Sequence, residues 1–265
     1  MMFKLIYNEQ KRAVKSFLFW ICVIIGVLLA VYDLFKNEIY FNMEISKIGT
    51  LTAFIHATAL SSSGIFQMCA PLLCTIPYAL ALVDDIKTNS INNLMSRMRC
   101  SDYYISKAIS IISVAGLYFV CTYMLLLLMC VLISPVPSVR LVMEPIIPII
   151  SIYQKSLLAF IGFYTLHSFI FGCSYCMFTL GLSSIVQNRY ISLAVPFVLY
   201  HSSMLLAWAL PKHLVYDLVK YIPYESFNFR LYNLNLILYR HIAVFVIGVM
   251  MYIVGIYRYR VQCVS

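Results

Sequence analysis

Charge is scarce in this sequence. Asp, Glu, Lys and Arg make up 11% of its 265 residues, where soluble domains carry roughly 25%. Acids are scarcer still, ten against nineteen bases, for a net charge of +9. With a mean hydropathy of +0.89, this composition excludes an ordinary water-soluble domain. Alternating apolar and polar residues in segments of about ten are missing as well, which argues against a membrane β-barrel. The basic residues lie between apolar runs rather than in a compact basic domain. Their expected work is to set orientation and meet anionic headgroups, and no nucleic-acid partner is expected.

Chemical motifs are also lacking. There is no G-x-x-x-x-G-K-[ST], H-E-x-x-H or G-x-S-x-G. A loop that cradles nucleotide phosphates and the common hydrolytic arrangements are therefore absent. The expectation is a non-enzyme with no catalytic residue, metal or cofactor of its own. Internal repeats and low-complexity linkers are absent too, so residues 1–265 read as one transmembrane domain.

What is present is long apolar runs. Six candidate spans are Phe17–Phe35, Ser61–Val83, Ala108–Ile133, Ser156–Val186, Ile191–Leu210 and His241–Tyr257. Each is long enough to cross about 30 Å of hydrocarbon at about 1.5 Å per residue. The fold expected is an all-α integral membrane protein with six transmembrane helices. The first run follows four basic residues, exceeds the length of a signal-peptide core and lacks a small-residue cleavage site. It reads as a retained span. Pro71 and Pro77 should kink span two.

Lys and Arg are about twice as dense in segments 1–16, 84–107, 187–190 and 258–265 as in 36–60, 134–155 and 211–240. That asymmetry places both termini in the cytoplasm. Residues 1–16 interleave Phe3, Ile6, Tyr7 and Val14 with Lys4, Lys11, Arg12 and Lys15. They read either as a helix lying among lipid headgroups or as a plain basic anchor. Segment 134–155 holds Pro135, Pro137, Pro145 and Pro148, a pattern for a non-helical connection. Segment 211–240 reads as interfacial pieces broken at Pro223.

Ionisable residues buried inside the runs are few. His167 and His201 fall within spans four and five, Asp33 near the outer end of span one, and His56 just before span two. Histidines at such depth relay protons or hydrogen-bond between helices. Cys173 and Cys176 share a helix face, where packing is the expected role. Ser168, Gly172 and Cys176 recur every four residues. Such spacing permits close helix approach, either within the chain or in a dimer face.

The most informative stretch is 84–107. Ile91, Leu94, Met95 and Met98 form an apolar stripe on an amphipathic helix, with Lys87, Asn92, Arg97 and Arg99 largely off it. Asp84 and Asp85 precede that helix, where they are expected to cap it and favour its dipole. Ser101 then reads as an N-cap, with Asp102 in the first turn of the next helix. The stripe suits an anionic lipid surface or a protein partner.

In this layout, and in the stretch DDIKTNSINNLMSRMRCSDYYISK, the chain resembles the ABC-2 type permeases, the membrane subunits of ABC exporters with the type V exporter fold. The resemblance implies that 84–107 holds a coupling helix seated in a cleft of an ATPase. Asp84 and Asp85 would start it, Ile91, Leu94, Met95 and Met98 would form its face, and Arg97 and Arg99 its basic end. Tyr104 and Lys107 would open span three, and 211–240 would hold short re-entrant helices. The family often has Glu and Gly in this loop, whereas this chain has Asp85 and no Gly between Gly64 and Gly116. ATP and Mg would bind a separate ATP-binding subunit. The permease would pair with a second copy or a homologous permease among the lipids of a bacterial plasma membrane. Peptides, antimicrobials, drugs or lipids would be exported. Two readings from other classes stand beside this one: an ion-coupled secondary transporter, and a scaffold or sensor subunit without a transport pathway.

Overall fold

The computed structural model describes residues 2–41, 49–58, 65–88, 90–91, 99–134, 157–209 and 234–264. Among these the protein is all helical: α1 (Met2–Lys15), α2 (Phe17–Phe41), α3 (Thr50–Thr58), α4 (Ile65–Thr75), α5 (Ala81–Lys87), α6 (Cys100–Ile133), α7 (Leu157–Val186), α8 (Arg189–Ala209) and α9 (Leu234–Val264). Among the described residues four stretches are long and apolar enough to cross a membrane: Phe17–Lys36, Cys100–Ile133, Ile161–Val186 and Leu238–Arg258. The expected connection at 135–155 and the Pro223 break lie outside the described residues.

α1 and α2 are separated by one residue for a local reason. The Ser16 hydroxyl donates to the Ala13 carbonyl (2.7 Å) and accepts the Phe19 N–H (3.2 Å), so one side chain closes α1 and caps α2. α1 exposes Phe3, Lys4, Tyr7, Lys11, Arg12 and Lys15 and turns Leu5, Glu9 and Ala13 inward, which makes it an amphipathic helix docked against the bundle. α7 and α8 turn over in two residues. Gln187 adopts φ 52°, a left-handed helix end, and the Asn188 side chain accepts the Tyr190 and Ile191 N–H groups.

Span two departs from expectation. Pro77 breaks it rather than kinking it, leaving α4, a turn over residues 76–80, and α5. A proline nitrogen has no hydrogen to donate to the preceding turn. The chain recovers through Ala79 N–H to Thr75, Ala81 N–H to Tyr78 and Asp84 N–H to Leu80. Segment 36–60, expected as a connection, contains α3. Gly49, at φ 87°, donates its N–H to the Ser134 hydroxyl (3.1 Å), and Thr50 donates to the Ser134 carbonyl (2.6 Å). Ala53, Phe54, Ala57 and Thr58 of α3 are buried, and Phe54 meets Tyr123 and Tyr164 edge-on.

α6 begins at Cys100, eight residues before the expected span. Arg99, not Ser101, is the N-cap, and no side chain caps this end. Asp102 and Tyr103 donate their N–H groups to the Arg99 carbonyl. The extension is buried at Tyr103, Tyr104, Ser106 and Lys107, so packing rather than local capping sets the start. α9 likewise begins earlier than the expected span, at Leu234.

α7 forms the centre of the bundle. Its apolar window is 72% buried, against 39% or less for the other three long helices. It packs chiefly on α6 and α9. Against α9 the backbones nearly touch, and a methyl group built on Gly181 would collide with the Gly248 carbonyl oxygen. Such contacts favour helix association in lipid, where apolar burial alone supplies little. Among the described residues α2, α6 and α9 carry most of the exposed large apolar side chains, among them Leu28, Leu132, Ile253 and Tyr257.

Candidate functional site

α1, α5, the start of α6 and the α7–α8 turn gather at one end of the bundle. At its centre is Lys107, whose side chain is 1% exposed. Its Nζ lies 2.7 Å from Glu9 Oε2 of α1 and 2.6 Å from Asp85 Oδ2 of α5. Tyr103, one turn earlier on α6, donates its hydroxyl to Asp85 Oδ2 (2.7 Å). Tyr78, in the turn after the Pro77 break, donates its hydroxyl to Glu9 and sets its ring 5.4 Å from Lys107 Nζ. Ser90 donates to the Asp85 carbonyl (3.1 Å). Each carboxylate thus receives one ammonium contact and one phenol.

The local reasons for this convergence are simple. Glu9 is the single acid of α1 and sits one turn after Leu5 and one before Ala13, on the inward face. Tyr103 and Lys107 are four apart on α6 and so share a face. A buried ammonium without partners costs several kcal/mol, and two carboxylates and an aromatic face supply its partners here. What the arrangement offers is fastening: it joins α1, α5 and the start of α6.

The expected site residues are placed unequally. Asp84 and Asp85 lie within α5 and contact distant elements, whereas most of the helix they are expected to cap lies outside the described residues. Asp85 joins the buried cluster. Asp84 pairs with Arg189 of α8, and both side chains are nearly half exposed. Ile91 is fully buried and Arg99 is exposed. Leu94, Met95, Arg97 and Met98 lie outside the described residues.

Ser168, Gly172 and Cys176 face α6 of the same chain. A methyl group on Gly172 would stand 2.9 Å from the Ala115 carbonyl oxygen. Ser168 donates to the Tyr164 carbonyl and accepts the Tyr123 hydroxyl (2.9 Å). Cys176 and Cys173 direct their thiols toward the Ile111 and Ile112 carbonyls. This face is occupied within the chain.

Sequence reading missed Glu9 and Tyr78, and named Lys107 only through resemblance. The available signal was a lone acid among four bases in an amphipathic helix. It also missed the glycines Gly181 and Gly248. His201 donates from Nε2 to the Met68 carbonyl (3.1 Å), which ties α8 to α4. His167 and His241 are both buried with ring centres 5.0 Å apart. Asp33, also buried, accepts the Ile65 and Phe66 N–H groups (3.0 and 2.9 Å) and so caps α4 from α2. Among the described residues no group of three His, Cys, Asp or Glu side chains is arranged to hold a metal.

Compared with protein-family models, curated proteins and solved structures, the chain matches none.

Proposed function

We propose that this chain is the membrane-spanning subunit of an ATP-driven exporter of the ABC-2 type. Its six spans have both termini on the cytoplasmic side, and a separate ATPase docks on residues 84–107. ATP and Mg sit on that partner. The chain pairs with a second copy or a homologous permease and carries an amphiphilic substrate outward.

One observation carries the reading. The segment that follows span two is joined through Asp85 and Lys107 to the N-terminal helix and span three, and through Asp84 and Arg189 to the α7–α8 turn. A separate motor pressing on one loop needs such connections, because the force must reach several helices at once. The like layout of the ABC-2 permeases supports the same assignment.

Co-purification tests it. Tagged chain from native membranes is expected to bring down an ATP-hydrolysing subunit without membrane spans. Leu94→Asp with Met98→Asp is expected to remove that subunit while leaving the chain in the membrane. A double variant that binds and supports ATP hydrolysis normally contradicts the docking assignment.

A second reading has its own observation, the buried His167–His241 pair. An ion-coupled transporter would use such a pair to carry protons. It requires substrate movement in vesicles that contain this chain alone and a pH gradient, lost in His167→Ala.

A further inference from the structure

Four cations, Lys4, Lys11, Arg12 and Lys15, point outward from α1, and its one acid points inward. The inward acid is the unusual feature, because a carboxylate on an amphipathic helix is most stable in water. Glu9 instead meets Lys107, a residue with no exposure of its own, and Tyr78. The same ammonium also meets Asp85, fastened in turn by Tyr103. The only tie among the described charges that links the 84–91 segment to α1 therefore runs through Lys107.

We infer that Lys107 is a positioning residue that makes the N-terminal helix and the 84–91 segment move as one body with the start of span three. α1 is then a working part of the transmission and not a passive anchor. A push on 84–91 shifts Asp85, Asp85 draws on Lys107, and Lys107 carries Glu9 and α1 with it. Asp84 has no part in this path. Its partner Arg189 belongs to another turn, and both side chains reach solvent. The mechanical consequence for an exporter rests on the function proposed above, whereas the fastening itself does not.

Hydrogen exchange on the full-length chain in detergent micelles reads the fastening without any ATPase. Peptides covering 2–15 and 81–91 are followed. Glu9→Ala leaves Lys107 paired with Asp85, so 2–15 should exchange at least tenfold faster and 81–91 at the parental rate. Asp85→Ala should do the reverse. Lys107→Met should release both, and Lys107→Arg, which keeps the charge, should restore part of the protection. Unchanged rates, or the same acceleration of both peptides in all variants, overturn the inference. The two alanine variants decide the matter should Lys107→Met fail to fold.

The transmission has a separate readout. In the complex with the co-purified ATPase, Glu9→Ala should keep the subunit bound yet lower its hydrolysis rate severalfold. A normal rate in a complex whose α1 exchanges fast overturns the transmission. If the parent chain binds no ATPase, the functional reading fails and the fastening is still judged by exchange alone.

Discussion

At the end of the bundle where α1 lies, long side chains meet one another: Glu9, Lys107 and Asp85, with Tyr78 and Tyr103 between them. At the opposite end, short side chains hold backbone. Asp33 caps α4, and Ser134 receives Gly49 and Thr50. The two designs respond differently to damage. A tie between side-chain tips joins whole helices, so its loss unhooks them and leaves each helix intact. A tie to backbone N–H groups defines where a helix starts, so its loss frays that helix. The first end is built for elements that shift together. The second is built to hold helix ends in place.

The largest effect should come from Lys107→Met, which leaves two carboxylates facing one another without a cation. Breaking a buried pair from one side costs about 3–5 kcal/mol. The thermal midpoint in detergent should fall by several degrees or more, with both attached helices loosened. Next is Asp33→Ala. Loss of a helix cap costs about 0.5–2 kcal/mol. The damage should appear as faster hydrogen exchange at Ile65 and Phe66, while α1 keeps its protection. The smallest effect should come from Asp84→Asn. Exposed pairs are worth about 0.2–1 kcal/mol and are screened by salt, so the midpoint should barely move, and less so at high ionic strength. A large effect at Asp84 or a small one at Lys107 would erase the distinction between these neighbouring acids.

Much of the helix inventory was legible because continuous apolar runs need no partner to be recognised. α1 was legible from its amphipathic stripe, and Ser168, Gly172 and Cys176 from spacing along one helix. What was not legible depends on residues far apart in the chain. Asp85 reads from sequence as a cap, and nothing local shows that Lys107, 22 positions later, is brought against it. Ser101 with Asp102 looks like a helix start, yet the burial of Tyr103 and Lys107 moves the start to Cys100. α3 is a short apolar stretch, TLTAFIHAT, which periodicity alone cannot assign. Its burial comes from Tyr123 and Tyr164 on two other helices. The Gly181–Gly248 contact likewise spans two helices, and neither glycine announces the other.

The most direct test of the buried cluster is a double-mutant cycle on thermodynamic stability between Glu9→Ala and Lys107→Met, set beside one between Asp84→Asn and Arg189→Gln. Residues that truly interact show coupling of about 0.5–3 kcal/mol, and independent ones add within about 0.5 kcal/mol. The account predicts coupling in the upper part of that range for Glu9 with Lys107 and near-additivity for Asp84 with Arg189. Additive behaviour of Glu9 and Lys107 would contradict it.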